Sequence, residues 1–453
     1  MKVIKTLSLF VTLLVTIPLQ SQGRNLIQTP TQQSTEEWSL NKCLKYAKEN
    51  NIQIKTKQLS KELTEVEINS AKAQLYPTLS FSTSHSLSFQ NSTTYNDYNE
   101  ASNKTNYSGN YNLNSGITLY SGSKITNTIK QQNLLGKASE YNLLQSIMEV
   151  EISITQAYLQ ILYNKEALQI AQNSSELSKA QVSRGEELVK AGSLSKVDLA
   201  QLESQAASDK YAIVKAENTL NNSIITLKQL LELGQEDKFS IYYPHIEENR
   251  VLETIPSLDE VYNTALNSNP NILSSKYNTQ AAEMGVKVAQ AQKYPTITAS
   301  AGINTGTFSN INTGYLEQFK ERMNESLGLN LSIPLFNGKS ARSAVQKAKI
   351  QSSTTKLQEQ SANKTLFSTI ESLYNDAISA QSQYISSNEQ LAYSELSYKY
   401  IREQFNAGLK NIIELTTEKN NYASAQSQQL QSKFSAVLAL KLLQIYQNKP
   451  IEL

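Results

Sequence analysis

Between Leu75 and Gln90 the chain reads LYPTLSFSTSHSLSFQ, with Leu79, Phe81, Thr83, His85, Leu87 and Phe89 alternating with Ser80, Ser82, Ser84, Ser86 and Ser88. Alternation at period two predicts a β-strand whose faces meet different surroundings. Two settings produce it: a soluble sandwich with one face in water, or a strand between lipid and a water-filled lumen. The polar face here is small and uncharged, whereas a sandwich ordinarily shows charges there. The same chemistry returns in two further stretches. Tyr111, Leu113, Ser115, Ile117 and Leu119 alternate with Asn110, Asn112, Asn114, Gly116 and Thr118, and Leu327, Leu329, Leu331 and Ile333 with Ser326, Gly328, Asn330 and Ser332. A fourth strand is predicted after Tyr294-Pro295-Thr296, which repeats Tyr76-Pro77-Thr78. Proline suits the opening of a strand because it has no N–H for the ladder.

Elsewhere the apolar spacing is helical. Val150, Ile154, Ala157, Ile161, Asn164, Leu168 and Ala171 fall at steps of three and four, a seam with one polar position. Leu366, Ile370, Leu373, Ala377, Ala380, Tyr384, Ser387 and Leu391 open a second seam that runs on to Phe405. A third follows Gly192 through Leu199, Leu202, Ala206, Asp209, Ile213, Ala216, Leu220, Ser223, Leu227 and Leu230. These predict coiled-coil helices, and the run from Ser123 to Lys190 would extend about 100 Å at 1.5 Å per residue. The hairpins they form turn at Gly192 and Gly408, each supplying the left-handed residue that ends a helix.

The chain is duplicated. Ser39-Leu40, Ala47, Asn51, Ile54, Ala71 and Tyr76-Pro77-Thr78 return 218 positions later as Ser257-Leu258, Ala265, Asn269, Ile272, Ala289 and Tyr294-Pro295-Thr296. Downstream the offset is 216: LYSG from Leu119 answers LFNG from Leu335, and AGSLSKVDL from Ala191 answers AGLKNIIEL from Ala407. Each half reads helix, strand hairpin, long helical hairpin. The expected organisation is a secretory signal over 1–22, a first repeat over 23–235, a linker over 236–256 and a second repeat over 257–453. Within the repeats, strand hairpins are expected at about 77–121 and 295–336, and helical hairpins at about 123–233 and 338–447.

Composition narrows the function. Two lysines and an apolar run from Leu7 to Leu19 mark the signal, and no later stretch reaches 18 consecutive apolar residues, so any span of a bilayer must be made of strands. Loss of Lys2 and Lys5 with the signal lowers the basic count from 42 to 40, equal to the 40 acidic residues, and nothing suggests nucleic acid. Cys43 has no cysteine to pair with, and His85 and His245 lie in unrelated contexts, so no disulfide framework, metal or cofactor site is expected. Catalytic and nucleotide-binding motifs are absent, and the chain is expected not to be an enzyme.

Trp38-Ser39-Leu40, the repeated Tyr-Pro-Thr, Ser121-Gly122 and Asn337-Gly338 after the return strands, and the Ala-Gly turns followed by Val197-Asp198-Leu199 and Ile413-Glu414-Leu415 together resemble the TolC family of outer membrane efflux proteins. The resemblance implies a mainly α fold with a β-barrel part. It implies a trimeric channel-tunnel with four strands per protomer in a shared 12-stranded transmembrane barrel above periplasmic coiled-coil hairpins. It further implies a Gram-negative outer membrane, a homotrimer and barrel contact with lipid. The partners would be a membrane fusion (adaptor) protein and an inner-membrane pump of the RND or ABC type, serving efflux or type I secretion. Ser80, Ser82, Ser84, Ser86 and Ser88 would line the pore, with Tyr107 and Tyr120 as interfacial anchors and Tyr95 and Tyr98 in the external loop. The docking tips would be Ala191, Gly192, Ser193 and Leu194 with Ala407, Gly408 and Leu409. Asp198, Phe405, Lys410, Glu414 and Thr417 match positions of the family's periplasmic gate; Phe405 stands for a tyrosine and Thr417 for an acidic residue, so the gate is expected to latch differently. A periplasmic coiled-coil scaffold without a pore is the alternative.

Overall fold

In the computed structural model, residues 37–90, 104–234, 239–309, 311 and 313–451 are described. The signal and the loop tyrosines Tyr95 and Tyr98 lie outside them. The first repeat comprises α1 (Leu40–Asn50), α2 (Ile52–Ala73), β1 (Thr78–Gln90), β2 (Lys104–Tyr120), α3 (Lys124–Lys190) and α4 (Lys196–Leu230). A one-turn helix, α5 (Glu248–Val251), stands between the repeats. The second repeat comprises α6 (Leu258–Ser268), α7 (Pro270–Ala291), β3 (Thr296–Phe308), α8 (Tyr315–Glu321), β4 (Asn324–Ser332), α9 (Ser340–Asn406) and α10 (Ile412–Tyr446).

Corresponding elements agree in length: 11 residues for α1 and α6, 22 for α2 and α7, 13 for β1 and β3, 67 for α3 and α9, 35 for α4 and α10. The turns correspond as well. Gly192 and Gly408 take φ of +74° and +73°, and Ser193 N donates back to Leu188 O at 2.8 Å, a six-to-one bond that closes α3.

The single helix expected to open each repeat is broken in two, at Asn51 in the first and at Asn269 in the second. Asn51 leaves the helical region at ψ 131°, and its Oδ1 accepts from the N–H groups of Gln53 and Ile54, which starts α2 afresh. Its Nδ2 donates to Leu230 O at 2.9 Å, fixing the break against the end of α4. Asn269 caps α7 in the same way, with Pro270 at the first helical position. The second strand loop also departs from expectation, because it contains α8. Gln318, buried, holds α8 to β3: it accepts from Phe308 N at 2.8 Å and donates to Phe308 O at 3.1 Å.

The linker is packed. Trp38 N donates to Ser240 O and Tyr242 N to Trp38 O, while the buried Tyr158 hydroxyl donates to Tyr242 O at 2.5 Å. Burial pushes the Tyr158 phenol far up from its ordinary pKa. The main core lies here, around Ile154, Tyr158, Leu227, Leu231, Val251 and Val437, where α1, α3, α4, α10 and the linker meet.

Candidate functional site: the polar strand face and the hairpin tips

The four strands form one antiparallel sheet in the order β1-β2-β3-β4. Register puts like with like. Phe81 stands opposite Leu113 and Leu113 opposite Ile303, while Ala301 faces Leu327 and Ala299 faces Leu329. Ser82 stands opposite Asn112, Asn112 opposite Asn304, and Asn304 opposite Asn324; the next polar row runs Ser80, Asn114, Gly302, Ser326. One face is therefore apolar and the other is serine, asparagine and glycine. Within the single chain Leu327 is 91 % exposed and Leu79 72 %, so away from the loop end the apolar face is uncovered in the protomer. Uncovered leucine and phenylalanine across four strands would aggregate in water. Against hydrocarbon they are favourable, and the serine face is then left for water. Tyr76 and Tyr294, at the start of each repeat's first strand, are exposed at the same end of the sheet.

On the apolar face near the loop end is a polar cluster. His85 Nδ1 lies 2.7 Å from the Tyr107 hydroxyl, which lies 3.0 Å from that of Tyr315 in α8. Tyr107, expected as an interfacial anchor, here holds α8 against the sheet. Phe319 of α8 packs edge-on to Tyr111.

At the other extremity the hairpins end in exposed tips. Gly192, Ser193, Gly408 and Leu409 are exposed, as are Val197 and Ile413, and Leu194 is half-buried. Both acidic residues assigned to the gate are bound locally. Asp198 Oδ2 accepts from Ser195 Oγ at 2.7 Å while Ser195 Oγ accepts from Asp198 N, a capping box that starts α4. Glu414 does the same with Asn411 at the start of α10, and Lys410 Nζ lies 2.5 Å from its Oε1. The hydrogen bond from Lys410 and that from the Asn411 N–H hold the Glu414 carboxyl below its ordinary pKa, against a small desolvation effect. Thr417 is exposed, and the neighbouring Glu418 accepts from Ser397 Oγ at 3.1 Å. Phe405 is buried with Leu202, Tyr398, Ile412 and Leu415, so where a tyrosine would offer a hydroxyl it offers packing between the two hairpins.

The strongest polar link between the hairpins was not expected from sequence. Lys419 of α10, 1 % exposed, donates to Asp209 of α4 and to Ser178 of α3, and Ser178 Oγ also donates to Asp209. Beside it Gln181 Nε2 donates to the Tyr398 hydroxyl at 3.0 Å, and Tyr398 stacks on Tyr422 with ring centroids 5.7 Å apart. Farther along, Lys433 Nζ lies 3.4 Å from Glu166. The signal was Asp209 itself, a charge in an apolar seam.

The sequence profile of the outer membrane efflux protein family matches residues 43–232 and 261–444, which is most of the chain and both repeats. The chain belongs to the outer membrane efflux protein family. Among relatives, the outer membrane protein TolC of Salmonella enteritidis is 20 % identical over 421 residues, covering 92 % of this chain and 80 % of that one. The toxin and drug export protein A of Aggregatibacter actinomycetemcomitans is 19 % identical over 88 % of this chain and 84 % of its own length. The crystal structure of the outer membrane protein VceC from Vibrio cholerae superposes with a TM-score of 0.78 at 17 % identity, covering 91 % of this chain and 97 % of VceC. The fold is that of the family's channel-tunnels, and the protein is an outer-membrane channel for export. No helix among the described residues is long and apolar enough to cross a membrane.

Proposed function

We propose that three copies of this chain pool their strands into a twelve-stranded barrel and their hairpins into a periplasmic tunnel, serving as the exit duct of a tripartite assembly. The observation that carries this reading is the sheet itself: four strands, apolar on one face, uncharged polar on the other, with β1 and β4 as open edges. Four strands cannot enclose a water-filled lumen, and unpaired edges are not tolerated in hydrocarbon, so other copies must close it. Exposed apolar residues on α2 and α9, among them Leu59, Leu63, Ile350 and Leu357, support a further copy beside the helices.

Export in this reading is passive within the chain, and an inner-membrane pump of the RND or ABC type supplies the drive through an adaptor seated on the Gly192 and Gly408 tips. The exposed Val197, Leu409 and Ile413 give that adaptor an apolar footing. The tunnel narrows at the tips, where three Glu414 carboxylates would favour cations. To widen there, α9 and α10 must move relative to α3 and α4, and the buried Lys419–Asp209–Ser178 link is the contact such a movement has to break.

Planar-bilayer recording of the detergent-purified protein under a salt gradient tests the duct. The expected result is a cation-preferring current whose preference falls or reverses in Glu414→Lys. Unchanged selectivity in that variant would place the constriction elsewhere, and a protein that stays in the soluble fraction without detergent would return the scaffold reading.

A further inference from the structure

The register divides the apolar face of the sheet into rows, and the rows change character toward the loop end. Ile117, Ala299 and Leu329 form one apolar row, and Leu79, Ala301 and Leu327 belong to the next. Phe81, Leu113 and Ile303 are in the last, which already ends on Glu325. Beyond it the rows read Thr83, Tyr111, Thr305 and then His85, Gly109, Thr307. Helix α8 lies over these polar rows.

The seat of α8 is built from one side of the helix. Tyr315 and Phe319, four residues apart, share that side: the first meets the Tyr107 hydroxyl and the second packs edge-on to Tyr111. Thr305 Oγ1 donates to Phe319 O at 2.7 Å, and Thr307 is fully buried. At about 100° per residue the other positions fall on two flanks, Leu316 and Lys320 on one, Glu317 and Glu321 on the other. Leu316 is 81 % exposed, and Met323, where the chain turns into β4, is 54 % exposed. Arg322 places its guanidinium 4.4 Å from the centre of the Phe308 ring.

Magnitudes decide what such a helix is for. Along β3 the apolar positions run from Ile297 to Ile303, about 20 Å of strand and about 15 Å of depth at a barrel tilt of about 40°. An outer-membrane barrel presents an apolar band about 25 Å tall, closed at both ends by aromatic rings. At the helical end Tyr76 and Tyr294 close it, so the missing depth of about 10 Å lies on the loop side. Seven helical residues supply about 10 Å.

Resting on the reading of the sheet as a lipid-facing barrel wall, we propose that α8 is an interfacial helix seated in the outer leaflet at the boundary between headgroups and acyl chains. Leu316 and Met323 enter the acyl boundary, Lys320 extends its stem along them and lifts its ammonium to the lipid phosphates, and Glu317 and Glu321 face water. The occupant is lipid because this surface continues the apolar rows of Leu113 and Ile303 without a break. The helix thereby keeps acyl chains off Thr305 and Thr307, whose hydroxyls hydrocarbon cannot satisfy, and fixes the depth of the barrel.

Depth-resolved quenching tests this. Single cysteines Leu316→Cys, Glu317→Cys and Leu113→Cys in the full-length protein, each carrying a thiol-linked fluorophore, are reconstituted into vesicles of phosphatidylcholine and phosphatidylglycerol. Cys43, fully buried and with its thiol pushed up to about 12 by that burial, does not compete for the label. The Leu316 label should be quenched several-fold more by a nitroxide on the lipid near the headgroup than by one near the chain end. Iodide on both sides should quench the Glu317 label several-fold more than the Leu316 label, although the two residues are adjacent. Met323→Cys should behave as Leu316→Cys does, a second readout should the first conjugate fold poorly. Equal access of iodide to Leu316, Met323 and Glu317, with no quenching from lipid, would put α8 in water and overturn the inference while the Leu113 label, quenched from near the chain end, keeps the barrel wall. Stronger quenching of Leu316 from near the chain end would also overturn it, because the helix would then lie within the band. A Leu113 label that no lipid nitroxide quenches would remove the lipid-facing wall and α8's seat with it.

Discussion

Helices α2 and α7 are one design used twice, 22 residues started by an asparagine cap and ended before Tyr-Pro-Thr, yet their surroundings differ. α7 buries Ile272, Ser274, Thr279, Ala281, Ala289 and Ala291 between α3 and α9; α2, with α3 on one side only, buries Ile54 and Ala71. The difference does not come from polarity alone, for α2 exposes Leu59, Leu63 and Val66 by more than 60 % each. What it teaches is that the same helix design is buried where it has neighbours on two sides and exposes its apolar residues where it has one, the surface on which the proposed trimer rests.

The repeats also diverge near the tips. Lys419 is buried in α10, while its counterpart in α4, Glu203, is exposed, so the inter-hairpin ion pair exists once per chain. Removing one partner leaves a buried charge, and Asp209→Ala should cost about 3–5 kcal/mol. Thermal unfolding in detergent measures it; the double variant Asp209→Leu, Lys419→Met should recover most of the loss. Equal destabilisation by the double variant would mean the hairpins are held chiefly by other contacts.

A smaller effect comes from exchanging residues between α2 and α7. Ala281→Leu should overpack the chain by about 1–3 kcal/mol. The converse change at the corresponding position, Leu63→Ala, should leave the protomer's unfolding unaltered and lower only the trimer fraction on dilution into detergent. A drop in protomer stability from Leu63→Ala would contradict the comparison.

Smaller again are the caps, equivalent in both repeats. Ser195→Ala and Asn411→Ala should each cost about 1 kcal/mol, by the same unfolding measurement. Smallest is the pH effect of Glu414, whose pKa is lower folded than unfolded. Its stabilisation is present above the ordinary glutamate pKa of about 4.3 and is lost as pH falls through the lowered value. The gap in melting temperature between wild type and Glu414→Gln should narrow on acidification; a gap constant with pH would remove the carboxylate's charge from the account.

Much of this was legible in the sequence because it is written at short period. The serine row from Ser80 to Ser88, the seam positions Val150, Ile154 and Ile161, and the glycines at 192 and 408 each follow from local spacing or backbone chemistry. Seam polarity was also visible, but not what it meets: Asn164 donates to Ser223, Ser387 and Ser432 lie 2.6 Å apart, and Asp209 meets Lys419 from a helix 210 residues away. Such partners are chosen by topology, which spacing does not reveal. The break at Asn51 was missed because asparagine is tolerated within a helix as well as at its start, and its bond to the Leu230 carbonyl comes from a helix far away in sequence. α8 was missed because seven residues in a polar loop carry too little periodicity to count.

The central claim is that the serine face is wet and the leucine face is in lipid. Cysteines at Ser82, Ser84 and Ser86 and at Phe81, Leu113 and Leu329, introduced singly and exposed in intact outer membranes to a charged, membrane-impermeant thiol reagent, test it most directly. The account predicts rapid labelling at the three serine positions and protection at the three apolar ones. Labelling of both sets alike, or of the apolar set alone, would contradict it.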